Sequence, residues 1–187
     1  MVVVADDLSG AAEIAGIARG FGLSVEVQLD AFRQTKLEVP ERPEIEVTVV
    51  DADTRSRPVA EAAEAMRALA RSIDAAGPEF VFQKVDSLLR GSIAAESREL
   101  ALGLGRSGVL LANANPRKGR TVKGGRLFVD GAPIDRTDFA YDPEFPAPVA
   151  DVRELLLRRD AAGASPTDLV AADASRTDDL IALAATA

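Results

Sequence analysis

The chain has 187 residues, 47% of them hydrophobic, 28% charged and only 4% aromatic, with a formal net charge of −8. That length fits one substantial domain around one core, and so acidic a surface repels a phosphate backbone, which excludes nucleic acid as the expected partner. With no Cys and no His, the chain has no disulfides, thiol nucleophiles, Cys-based zinc sites or imidazole bases, so catalysis falls to carboxylates, Lys, hydroxyls or a hard cation such as Mg²⁺.

Short β-branched runs alternate with helical patterns, which predicts an α/β fold: a doubly wound, mostly parallel sheet with helices on both faces. Val2 to Val4 read as a first strand that runs straight into Asp6 and Asp7, as a buried strand does and a signal peptide does not. Ser9 reads as a helix cap, Ala11, Ile14, Ala15 and Ala18 as a core-facing stripe, and Gly20 and Gly22 as its end. Val25, Val27 and Leu29 alternate as a second strand. After a polar stretch containing Pro40 and Pro43, Ile45 to Val50 form a third that ends in Asp51-Ala52-Asp53.

Pro58 suits a first helical turn, and Val59, Ala62, Met66, Leu69, Ala70 and Ile73 face the core before Gly77-Pro78 stops the helix. Phe80 to Phe82 predict a strand leading into Lys84, Asp86 and Ser87, Ile93 to Leu102 a helix, and Val109 to Leu111 a strand ahead of Asn115-Pro116. From 117 to 134 the chain turns basic and Gly-rich, which predicts a β-hairpin insertion near Leu127 to Val129 with a turn at Asp130-Gly131. Prolines between Asp135 and Pro148 predict an irregular surface connection, Val152 to Arg159 a short helix, Leu169-Val170 a last strand, and Thr177 onward a final helix. That helix has no C-cap signal before Ala187, so the chain reads as cut rather than finished. No apolar run approaches the ~20 residues that span a bilayer. No membrane partner is expected, and the expected location is the cytoplasm.

In an open parallel sheet, ligands bind at the carboxyl ends of the strands, where loops converge and helix N-termini point at the ligand. Those ends carry Asp6 and Asp7, Asp51 and Asp53, Lys84 with Asp86 and Ser87, Asn113 and Asn115, and Asp173. Ser9, Asp173 and Ser175 read as helix caps. The adjacent pair Asp6-Asp7 reads as functional, because a cap needs one carboxylate and a second like charge beside it costs energy unless a cation or donor compensates. Arg55, Arg57, Lys84 and Arg90 stand just beyond strands. A guanidinium fork there suits a ligand carboxylate or phosphate, while the competing account pairs these cations with Asp51, Asp53 and Asp86. The run from Arg117 to Arg126 carries five cations and no anion, which suits either an anionic ligand or a solvated hairpin. No phosphate-binding G-x-x-x-x-G-K-[ST] motif is present, and no G-x-G-x-x-G follows a strand.

Four motifs in one order resemble a known family. Ala5-Asp6-Asp7-Leu8-Ser9-Gly10-Ala11, Asp51-Ala52-Asp53-Thr54-Arg55-Ser56-Arg57, Lys84-Val85-Asp86-Ser87-Leu88-Leu89-Arg90-Gly91, and Asn115-Pro116 with Gly119-Arg120-Thr121 and Gly124-Gly125 are similar to the N-terminal domain of the four-carbon acid sugar kinases. The resemblance implies that residues 1–187 form a single α/β domain that binds a small anionic sugar acid such as threonate, erythronate or a 3-oxo-tetronate. ATP and Mg²⁺ would be bound mainly by a C-terminal nucleotide-binding domain that this sequence does not contain. It implies phosphorylation of a substrate hydroxyl, with Asp7 orienting or deprotonating that hydroxyl and Asp6 or Asp53 bonding other hydroxyls. Arg55, Lys84 and Arg90 would hold the carboxylate, and Ser87 and the Gly124-Gly125 turn would wall the pocket. The matched motifs add Ser9, Ser56, Asp86, Gly91, Asn115 and Arg120 to the substrate-binding set, and no residue is assigned to a metal.

The chain departs from the family pattern at Ser9, at Ala12-Glu13, at Leu88 and at Ser92, which predicts a pocket shaped differently from the family's. Two rivals stand beside this reading. One is a binding module that senses an acid sugar without turning it over. The other is a receiver-like, Mg²⁺-dependent phosphoacceptor, which shares the acidic pair after strand one but expects Lys-Pro where this chain has Asn115-Pro116. A homo-oligomer is compatible with the sequence, which sets no copy number.

Overall fold

The computed structural model describes residues 1–29, 44–160 and 169–185. The polar stretch around Pro40 and Pro43 and the terminal Ala187 lie outside the described residues. The mostly parallel α/β class is the one observed. Strands β1 (Val2–Ala5), β2 (Val25–Gln28), β3 (Val47–Asp51) and β4 (Val81–Lys84) form a parallel sheet in the order β2-β3-β1-β4. β1 sits between two partners and buries all four residues, which is why it reads as an unbroken Val run.

Helix α1 (Leu8–Gly20) covers one face by packing Ala11, Ala15 and Ala18 on Val3, Ala5, Val47 and Val49. The other face is covered by α2 (Val59–Ala76), whose Met66, Leu69, Ala70 and Ile73 meet Val2, Val4 and Val50, joined by Leu100 of α3 (Ile93–Gly103). α2 stops where expected, at a left-handed Gly77 whose N–H bonds back to Ile73 and Asp74. The α2 and α3 backbones approach so closely that a Cβ on Gly103 would lie 2.4 Å from Cβ of Ala70, so only glycine fits there.

The second half of the described chain builds its own layer. β5 (Val109–Leu111) bonds to β9 (Leu169–Ala171) in a separate parallel pair rather than to β4. The expected hairpin is a three-stranded antiparallel sheet of β6 (Arg120–Lys123), β7 (Arg126–Val129) and β8 (Ala132–Pro133). Its first turn is Gly124-Gly125, where both residues have positive φ as a two-residue primed turn requires. α4 (Val152–Arg159) and α5 (Thr177–Ala184) pack with these strands around Leu89, Ile93, Leu111, Leu127, Ile134, Leu155 and Leu156. The cap assignments move. Asp7, not Ser9, caps α1 by accepting from Gly10 N at 2.7 Å. At α5 neither Asp173 nor Ser175 acts as cap; Asp179 accepts the Ser175 and Arg176 amides at 2.8 and 2.9 Å.

Candidate functional site

The carboxyl ends of β1 and β3 bring the acidic pair and the Asp53–Arg57 segment to one pocket of about 380 Å³, lined by Asp6, Asp7, Asp53, Arg55, Ser56 and Arg57. Arg55 organises it. Its Nε and Nη2 donate to Asp6 Oδ2 and Oδ1 at 2.8 and 2.9 Å, a bidentate fork, while Nη1 donates to Asp7 Oδ2. The Arg55 backbone is fixed as firmly as its head: Thr54 N and Arg55 N both donate to the Asp6 carbonyl, at 2.9 and 3.1 Å. Gly91, at φ +91, lies against it so that a Cβ there would sit 3.5 Å from Arg55 Cα.

The two acids differ. The Asp6 side chain is 1% exposed and that of Asp7 24%. Burial pushes the Asp6 carboxyl up and the Arg55 bond pulls it down, and burial wins. The same two acids raise the Arg55 guanidinium against the lowering effect of its own burial. Asp7 does double duty, since one oxygen caps α1 and the other meets Arg55. One carboxylate suffices for the cap, and the second charge is tolerated because a guanidinium bridges the pair.

The other cations are matched as well. Arg57 Nη2 pairs with Asp53 at 2.6 Å. Arg90 grips Asp86 bidentately, with Nε at 2.7 Å and Nη2 at 3.1 Å. Burial pushes Asp86 up, and the Arg90 fork more than reverses it, leaving that carboxyl below its usual range. Lys84 Nζ lies 3.3 Å from Glu13 and donates to the Val85 carbonyl, and Lys118 bonds the same Glu13 at 2.9 Å. Arg55 pairs with Asp6 and Asp7 rather than with the acids the sequence argument offered it.

Ser87, Asn115 and Arg120 come together one layer away. Arg120 Nη1 donates to Ser87 Oγ at 3.1 Å, and Asn115 and Arg120 exchange backbone bonds at 2.8 and 3.0 Å. Gly124 and Gly125 do not line the pocket; their amides are held by the two oxygens of Asp173 at 2.6 and 2.9 Å. Ser9 is exposed within the first turn of α1.

Several residues of this region carry no motif signal. Glu13 joins Lys84 to Lys118. Asp160, at the end of α4, accepts from Ala95 N at 3.1 Å and so caps α3 from 65 residues away. Burial pushes its carboxyl up to about 6. Glu96, fully buried in the first turn of α3, is pushed up to about 8 by burial, with the negative charge of Asp6 adding. A signal for Glu96 exists, because Ile93, Glu96 and Leu100 share the helical face that enters the core.

Among the described residues, no group of three or more acids converges to hold a metal ion. Asp6 and Asp7 are turned towards Arg55 and Asp53 towards Arg57, and among the described residues no glycine-rich loop lines the pocket, so these residues do not fit nucleotide phosphates or a hard cation. The arrangement instead suits a polar organic ligand: fixed carboxylate oxygens accept from hydroxyls and nearby guanidiniums donate to anionic oxygens.

Fold and site thus define an α/β domain with a charged pocket at the carboxyl edge of a parallel sheet. The model of the sugar-binding N-terminal domain family matches residues 1–187, and the chain belongs to that family. It is 31% identical over 157 residues to a D-threonate kinase of Salmonella typhimurium, an alignment covering 83% of this chain and 36% of that protein. It is 30% identical over 158 residues to a 3-oxo-tetronate kinase of Brucella melitensis, covering 82% and 35%. The chain therefore spans little more than a third of these relatives' length. The fold matches the crystal structure of a domain of unknown function from Bordetella bronchiseptica, a domain-swapped dimer with bound citrate. That match has a TM-score of 0.81 at 29% identity, over 99% of this chain and 49% of that one. No described helix is long and apolar enough to cross a membrane.

Proposed function

We propose that this domain binds the sugar-acid substrate of an ATP-dependent kinase, one that phosphorylates a hydroxyl of a tetronate-like acid. The observation that carries the reading is the Arg55-bridged Asp6–Asp7 pair at the strand ends of a chain whose relatives are tetronate kinases. ATP and Mg²⁺ belong to a second, C-terminal domain of the full-length protein, and this chain alone does not turn substrate over.

Asp7, the more exposed acid, orients the substrate hydroxyl and takes up its proton, and Arg55 keeps the carboxylate aimed. Asp6, buried under the fork, aligns Arg55, and Asp53 with Ser56 bonds other hydroxyls. The substrate carboxylate is held by Arg55 donors left over from the fork, with Lys84 and Arg90 at the margin. Asp86 and Gly91 act from behind the pocket, on Arg90 and on the Arg55 backbone, while Ser87, Asn115, Arg120 and the Gly124-Gly125 turn held by Asp173 stand outside the lining.

The test is a thermal-shift screen against D-threonate, D-erythronate and 3-oxo-tetronate, with threitol and erythritol as neutral controls. One acid raising the melting temperature where its neutral analogue does not is the expected result. In the full-length protein with ATP and Mg²⁺, Asp7→Asn is expected to lower kcat by at least a hundredfold with KM little changed, and a variant that kept its turnover would remove Asp7 from this role. Stabilisation by acids without phosphorylation by the full-length protein would leave a binding module instead.

A further inference from the structure

Glu96 is the deepest acid of the described chain that has no cation in contact. It has no exposed surface, and it sits in the first turn of α3 beside Thr54, which lies at the corner between β3 and α2. Its Oε2 takes a long bond of 3.4 Å from Gln83 Nε2 on β4, while Oε1 has no hydrogen-bonding partner. The hydroxyl of Thr54, itself fully buried at that corner, also has none. Thr54 stands within reach of Glu96, and its hydroxyl can satisfy either form of the carboxyl, so what an ionised Glu96 lacks in this buried place is a cation.

The charged neighbours decide whether Glu96 keeps its own proton. Asp6 approaches from the end of β1 and Asp160 from the end of α4, both acids. Arg55 approaches from the corner, but its bonds go to Asp6 and Asp7. On α2, Arg67 is turned outward to Glu99 at 2.9 Å. An ionised Glu96 would thus place a third buried negative charge against a fork already bridging two.

We infer that Glu96 is a positioning residue, a neutral carboxylic acid that holds the Thr54–Arg55 corner down on α3 and thereby sets the Arg55 fork. A protonated Oε1 donates to Thr54 Oγ1 and removes both orphans at once. Thr54 and Arg55 hang from the Asp6 carbonyl through consecutive amides, so a fixed Thr54 side chain fixes the root of the guanidinium. Loss of the proton repels Asp6, draws Arg55 inward and opens the corner. The inference rests on the Arg55-bridged pair being the ligand site, but its consequences are visible without ligand.

The experiment is hydrogen exchange at the Thr54 and Arg55 amides of the ligand-free chain, expressed as protection factors between pH 6 and pH 9, in the wild type, Glu96→Gln and Glu96→Ala. Glutamine keeps the shape and stays neutral. Protection at both amides is expected to fall at least tenfold above about pH 8 in the wild type and to stay level in Glu96→Gln. Glu96→Ala is expected to lose it at every pH.

The melting temperature supplies a second reading. Glu96 keeps its proton in the folded chain to about pH 8, whereas an unfolded glutamate loses it near the ordinary value of 4.5, so the wild type should lose stability as pH rises through that window and Glu96→Gln should lose less. The same pH dependence in wild type and Glu96→Gln, or full protection in Glu96→Ala, would overturn the inference. Should Glu96→Ala fail to fold, the comparison of wild type with Glu96→Gln decides alone. A negative acid screen alongside a positive exchange result would count against the proposed substrate and not against Glu96.

Discussion

Two regions of the chain carry dense charge after strands and end up differently. At the β1 and β3 ends, Asp6, Asp7 and Arg55 are bound to one another, and Asp6 is almost fully buried. Along the basic run of the hairpin, the cations are spread over separate partners: Lys118 on Glu13, Arg120 on Ser87, and Arg126 4.0 Å from Asp135. The glycines expected to admit a ligand there are occupied by Asp173. Burial makes the difference, because a charge taken out of water must be matched by geometry, whereas a charge left in water need not be.

The largest effect should come from breaking the buried side of that comparison. Arg55→Met leaves Asp6 buried without its cation and is expected to cost about 3–5 kcal/mol in urea unfolding. A loss below about 1 kcal/mol would mean that the pair is solvated and that the two regions do not differ.

Asp160 comes next, since it is raised to about 6 while its unfolded value lies near 3.8. Its contribution is fully present below pH 3.8 and is lost as pH rises through 6, so the fall between pH 4 and 6 should shrink by about 2 kcal/mol in Asp160→Asn, read from unfolding curves at each pH.

The hairpin clamp should be weaker, because both partners reach water. Asp173→Ala is expected to cost about 1 kcal/mol and to leave acid binding unchanged, which calorimetry on the variant would check. Smallest is the exposed i,i+4 pair Glu154–Arg158, where a double-mutant cycle should return about 0.3–0.5 kcal/mol, with its value falling in 1 M salt.

Much of the first sheet was legible because its signals are local. The Val runs of β1 and β3 record burial on both faces, the stripe from Ala62 to Ile73 records one helix face, and Gly77 marks the end of that helix through its left-handed φ. The pairing of β5 with β9 was not legible. Nothing local in Val109 to Leu111 distinguishes β4 from a strand some sixty residues later as its neighbour.

The site divides along the same line. Residue types and their places after strands nominate Asp6, Asp7, Asp53, Arg55 and Arg57 by themselves, since a parallel sheet must gather its strand ends, whereas Ser56 enters only with the family motif. Which acid each cation meets belongs to the tertiary structure: Arg55 crosses from the β3 loop to β1 over 49 residues of sequence, and Arg90 turns back four residues to Asp86. Tertiary packing likewise decides that Asp160 caps α3 and that Glu96 lies in the core. Burial and electrostatic pairing depend on distance in space, and sequence spacing constrains that distance only within a helix, a strand or a turn.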